Sequence, residues 1–131
     1  MTGLDANVLI RFVTQDDPVQ SPKADAIMNS LTAQEPGWIS LTALAELIWV
    51  MSQKFRASRQ RIDTLVEGLL AREEIVLEQS DLVRKAINQY RVGSADFSDY
   101  LIALAAQDAR CKGTLTFDHK AARTAGMTLV P

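Results

Sequence analysis

Short apolar stretches alternate along this chain with longer segments of helical spacing, and that alternation restricts the fold more than any other feature. Thr2 to Leu4, Trp38-Ile39-Ser40, Ile75-Val76-Leu77, Thr114-Leu115-Thr116-Phe117 and Met127-Thr128-Leu129-Val130 read as strands. Helices are expected from Asn7 to Val13, from about Pro22 to Leu31 with Ser21 as cap, and from Thr42 through Gln53. Others are expected from Ser58 as cap to about Ala71, and from Asp81 to Tyr90. A further helix is expected in Gly93 to Ala106, GSADFSDYLIALAA, ending near Cys111-Lys112-Gly113. Asp16-Asp17-Pro18 and Glu35-Pro36-Gly37 are the breaks between early elements. Strands joined by whole helices pair in parallel, because the helix carries the chain back to the end of the sheet from which the previous strand began. The expected fold is therefore α/β: a single three-layer domain over residues 1–131, with a short central parallel sheet flanked by helices. In such folds function sits at the carboxyl ends of the strands.

Composition narrows the field. At 131 residues the chain suits one domain able to bury most of its unfolded surface. No apolar run approaches a membrane span, and MTGLDANVLIRFV lacks the basic start and cleavage site of a secretory signal. A cytoplasmic location is expected, with no membrane association. The single cysteine, Cys111, excludes an internal disulfide or a multi-cysteine metal site, and is read as a small buried residue. A net charge of −2 argues against a protein that coats nucleic acid, but leaves room for a local basic patch. Lys54 to Arg61, KFRASRQR, is one: Lys54, Arg56, Arg59 and Arg61 without an acid. It reads as a solvated helix junction or as a set of phosphate contacts. Arg11, Arg91, Lys120 and Arg123 are dispersed alternatives.

Acids interrupt apolar sequence at a few places. Asp5 ends the first strand; it can cap the following helix or face a site, with Asn7 two residues on to orient it. Glu46 is the only charge from Gly37 to Ser52, and its helical neighbours Thr42, Ala43, Trp49 and Val50 form a mostly apolar face. An unpaired buried carboxylate is costly, so a cation, proton or strong donor is expected beside it. Asp99 is the sole charge between Phe97 and Gln107; with Asp96 as N-cap it can form a relative of the capping box, or it can point into a site. Asp118 follows the fourth strand, with Thr116 on the same side two residues earlier; a turn role competes with a functional one. Four carboxylates packed close would repel one another unless neutralised. Hard divalent ions with oxygen ligands, Mg2+ or Mn2+, solve that problem, and serve phosphoryl chemistry by activating water and stabilising phosphate charge. Phosphodiester hydrolysis is the leading reaction on these grounds, with one ion or two left open.

LDANVLIR, LAELIWV, ADFSDYLIA and TLTFD, in that order and spacing, resemble the PIN-domain family, and within it the VapC-type ribonuclease toxins of toxin–antitoxin pairs. The resemblance covers essentially the whole chain. It implies that Asp5, Glu46 and Asp99 are metal-coordinating acids, and that Asp118 is a fourth, acting directly or through water. It also implies that Asp96 supports the site and that Asn7 and Thr116 hydrogen-bond around the carboxylates. His119 falls where the family varies, so no general-base role is implied for it, and it reads as a surface residue or an outer support of the site. A metal-dependent endoribonuclease follows, usually a homodimer, restrained by a cognate VapB-like antitoxin. Such an antitoxin would put an arginine into the acidic pocket and an apolar segment against nearby helices. Trp49 and Phe55 are candidate contacts, although aromatics at helical spacing are more often core.

Rival readings fit less well. A receiver domain wants paired acids after the first strand, where this chain has Asp5-Ala6-Asn7, and a haloacid-type phosphatase wants an aspartate at Asn7. A non-catalytic binding module, its acids met by a partner's arginines, and a housekeeping RNA-processing nuclease stay open.

Overall fold

The computed structural model describes residues 1–131. Seven helices and short parallel strands give the α/β class expected from the alternating pattern. The chain divides into two compact units, Met1–Ser80 and Asp81–Pro131.

In the first unit, β1 (Thr2–Gly3), β2 (Gly37–Ile39) and β3 (Ile75–Leu77) form a parallel sheet in the order β1-β2-β3. Helices α1 (Ala6–Thr14) and α2 (Gln20–Ser30) connect the first pair of strands, and α3 (Leu41–Gln53) and α4 (Arg59–Ala71) the second. Register places Gly3 opposite Trp38, and Trp38 opposite Val76. Gly37 sits where a Cβ would come within 2.7 Å of a Leu4 methyl and 2.9 Å of a Leu31 methyl, so strand and loop close over it. The core is aliphatic: Leu9, Ile39, Leu44, Leu47, Ile62 and Val66 are all but sealed from solvent. Burial of such side chains is worth about 1.5–3 kcal/mol each and outweighs the modest propensity of the strands.

Capping explains several boundaries. Ser58 caps α4 as its position predicts, its hydroxyl accepting the Arg61 N–H at 3.1 Å. Ser58→Ala should therefore cost about 0.5–2 kcal/mol, a cost that denaturant unfolding will register, whereas Ser58→Asp should cost much less. Ser40, expected within the second strand, is instead the N-cap of α3 and accepts the Ala43 N–H at 3.0 Å. Ser21 is not the cap of α2. It lies inside that helix, buried, donating to the Arg11 carbonyl at 2.9 Å. Asp17 takes the capping work, one carboxylate oxygen accepting the Val19 and Gln20 N–H groups at 2.9 and 2.7 Å. A carboxylate offers a stronger acceptor to two orphan donors than a hydroxyl does, and the serine hydroxyl is used up in the interior.

In the second unit, α5 (Ser80–Val92) and α6 (Phe97–Asp108) precede β4 (Leu115–Thr116), α7 (His119–Thr124) and β5 (Thr128–Leu129). β4 and β5 pair in parallel, Leu115 opposite Thr128. Helix α7 was not expected from sequence. Tyr90 meets Phe97 and Tyr100 edge-on at 6.0 and 6.3 Å between ring centres, packing α5 against the start of α6. Cys111, expected buried, is exposed in the turn after α6. No helix is long and apolar enough to cross a membrane.

Candidate metal centre

In the first unit Asp5 is both strand end and helix cap. Its Oδ1 accepts the Ala6 N–H at 2.8 Å, and Asn7 Nδ2 makes a long contact to Oδ2 at 3.5 Å. Capping thus fixes the carboxylate where β1 gives way to α1, and leaves it exposed. Glu46 is also exposed, which corrects the expectation of an acid on a buried face. Helix α3 is apolar nearly all round; Ala43, Leu44, Leu47 and Ile48 face the core, while Thr42, Glu46 and Trp49 share the open side. Desolvation therefore does not demand a cation at Glu46. Trp49 is 58% exposed, so it belongs to the surface and not to the core. Glu78, unremarked in the sequence, ties the end of β3 to the start of this helix, its Oε1 accepting the Leu41 N–H at 2.8 Å.

The second unit gathers three of the acids electrostatically. Asp99 Oδ2 accepts the backbone N–H of Asp96 at 3.2 Å, the reciprocal arm of a capping box, so Asp99 serves the helix start as well as facing its neighbours. Asp118 caps α7, Oδ1 accepting from Lys120 and Ala121 at 2.8 and 3.1 Å. Thr116 steadies that turn by accepting the Asp118 N–H at 3.0 Å; its bond is to the backbone of the acid and not to the carboxylate. Partial burial pushes the Asp99 carboxyl above the ordinary range. The charges of Asp96 and Asp118 push the same way, while the Asp96 N–H favours the ionised form. Repulsion between like charges, which the sequence led one to expect, is thus felt at Asp99.

In neither unit do three His, Cys, Asp or Glu side chains draw together tightly enough to hold a metal ion as they stand. The expectation of closely packed carboxylates is met only as a loose group at the starts of α6 and α7. Its donor chemistry still fits a hard divalent ion: every side-chain donor is a carboxylate oxygen, and a cation would relieve the repulsion on Asp99. His119 is exposed beside Asp118.

Of the basic residues, Arg11 is engaged within its unit, donating to Gln20 at 2.8 Å and to Asp16 at 3.2 Å. Lys54, Arg56, Arg59 and Arg61 are exposed around the α3–α4 junction. Arg56 adopts a left-handed conformation, φ 53°, that turns the chain there. Phe55, 41% exposed, lines a recess of about 320 Å³ with Val13, Met51 and Arg61.

Compared with curated proteins, the sequence has no match. Compared with known protein families, residues 4–127 match the PIN domain, whose members are generally metal-dependent nucleases acting on RNA. With α/β architecture, parallel strands and acids at strand ends and helix starts already in place, that match over nearly the full length is decisive: the chain belongs to the PIN-domain family.

Proposed function

We propose that this protein is a divalent-metal-dependent endoribonuclease, and that it is the toxin of a type II toxin–antitoxin pair. The observation that carries the reading is the group of Asp96, Asp99 and Asp118 within a PIN domain, where burial and like charge make the ionised Asp99 costly. Asp5, Glu46, Asp99 and Asp118 are the acids that would hold Mg2+, or Mn2+ in its place. When bound, such an ion supplies an activated water and stabilises charge on the phosphate oxygens. The chain's own residues do the rest. Asn7 orients Asp5, Thr116 steadies the turn that presents Asp118, and Asp96 supplies both charge and the N–H that holds Asp99 in place. Lys54, Arg56, Arg59 and Arg61 would meet RNA phosphates at the α3–α4 junction; Arg11 would have to leave Asp16 to do so.

A VapB-like antitoxin, homodimerisation and a cytoplasmic location belong to the same reading. The exposure of Trp49 and Phe55 supports an apolar partner segment at α3. An arginine from that partner could pair with the carboxylates. The test is incubation of the purified protein with total RNA in Mg2+, in chelator, and after Mn2+ is restored. Cleavage should appear, vanish and return. Undiminished cleavage in chelator sinks the metal reading. Expression of the active parent without growth arrest would place it with housekeeping RNA-processing nucleases instead.

A further inference from the structure

One uncharged side chain joins the segment leading into α6 to the end of α7, the two helices whose starts carry the second unit's acids. The Thr124 hydroxyl, at the end of α7, accepts the backbone N–H groups of Ser94 and Ala95 at 3.3 and 3.2 Å, just ahead of Asp96. It donates to the Lys120 carbonyl at 3.0 Å. It also meets the Tyr100 hydroxyl at 3.1 Å, a contact in which either oxygen can supply the hydrogen. Tyr100 is sealed from solvent on α6, one residue beyond Asp99, and its oxygen also accepts the Ala95 N–H at 3.3 Å. Asp118 caps the helix that ends in Thr124. The chain from Ser94 to Tyr100 is therefore tied to the body of α7 through the Thr124 oxygen.

We propose that Thr124 is a positioning residue, holding Asp96 and Asp99 at the start of α6 in register with Asp118 at the start of α7. The inference rests on the metal-site reading but concerns a residue with no charge and no metal-binding chemistry of its own. Outer partners bonded directly to metal ligands cost about 10–100-fold in metal affinity or activity when removed. Thr124 acts one step further out, on the backbone just ahead of Asp96 and within the helix that Asp118 caps, so its removal should cost at the low end of that range.

The test compares Thr124→Val, which keeps the branched shape but loses the hydroxyl, with Thr124→Ser, which restores it. Mg2+ affinity by titration calorimetry, kcat and KM on an RNA substrate, and amide exchange at Ser94 and Ala95 are the readouts. In Thr124→Val the Mg2+ dissociation constant should rise by about tenfold, the low end for an outer partner, and kcat fall similarly. KM for RNA should stay near the parent value, since positioning and not substrate binding is lost. Exchange at Ser94 and Ala95 should quicken, and Thr124→Ser should recover all of these. Tyr100→Phe, which removes the hydroxyl that meets Thr124 and one of the two acceptors of the Ala95 N–H but leaves Thr124 in place, should move Mg2+ affinity and kcat less, and serves as the test if Thr124→Val does not fold. Parent-like Mg2+ affinity and kcat in folded Thr124→Val overturn the proposal, as does a loss that Thr124→Ser fails to recover. If the parent itself binds no divalent ion, the metal reading is what fails. Unchanged exchange at Ser94 and Ala95 in Thr124→Val would then overturn the positional role separately.

Discussion

Asp99→Asn is expected to lower metal-dependent RNA cleavage by at least about a hundredfold, since loss of a direct ligand should exceed the 10–100-fold cost of removing an outer partner. The fold should survive. Asparagine keeps an oxygen to accept the Asp96 N–H that now bonds at 3.2 Å, so the helix start retains its reciprocal cap. Stability should move the other way from activity. Burial first, then Asp96 and Asp118, raise the Asp99 carboxyl above its ordinary value, so the folded state holds that proton more tightly than the unfolded chain. An acid shifted upward costs stability once pH rises above its unfolded value of about 3.9, and the full cost stands above its folded value. At neutral pH, metal-free Asp99→Asn should melt at or above the parent's temperature. The gap should close below about pH 4, where the carboxyl is protonated in both states. Asp16 and Asp17 are shifted downward, by the Thr14 hydroxyl and by the Gln20 N–H first. They stabilise above the ordinary value and lose that contribution as pH falls through their lowered values, in parent and variant alike, so they cancel from the comparison. Calorimetry across pH, paired with cleavage rates, checks both halves. Near-parental cleavage by Asp99→Asn would remove it from the site.

Gly93→Ala should be the costliest small substitution in the second unit. A Cβ at that position would run into the Tyr100 hydroxyl and approach its ring carbon to 3.0 Å and the Gln89 carbonyl to 3.1 Å. Neither neighbour yields readily. Tyr100 is sealed from solvent and wedged edge-on against Tyr90, and Gln89 O already accepts the Gly93 N–H at 2.9 Å in the last turn of α5. Overpacking of this kind costs about 1–3 kcal/mol. Because the clash is with the hydroxyl, deleting that hydroxyl should relieve it. Gly93→Ala in a Tyr100→Phe background should therefore cost less than the two changes summed, a coupling that a double-mutant cycle in denaturant resolves. Strict additivity would show that the strain lies in the backbone and not against Tyr100.

Much of this architecture is legible without coordinates, for reasons that differ by element. Helix α4 is announced by Ser58, because a cap and a following apolar repeat are both local signals. β3 is legible because Ile75 and Leu77 must be buried and little in the triplet favours helix. Ser21 misleads because two acceptors compete for the same orphan N–H groups and the stronger one, Asp17, lies four residues earlier. Glu46 misleads because apolar neighbours do not establish burial; an exposed tryptophan beside it leaves the acid in water. Helix α7 has only six residues, too few for a periodic signal, although Asp118 is a cap in plain sight. Asp99 stands out as a lone charge entering an apolar run, and its environment does disfavour the charge. Thr124 and Tyr100 carry no such mark. They lie 24 residues apart and are uncharged, so only tertiary structure brings their hydroxyls to 3.1 Å.

The claim on which the account turns is that carboxylates of this chain bind a divalent ion, and titration of Mn2+ into metal-free protein addresses it without recourse to RNA. The parent should show saturable binding, weakened at least about tenfold in Asp99→Asn and likewise in Asp118→Asn. Equal affinity in the parent and both variants would contradict the assignment of the ion to these acids.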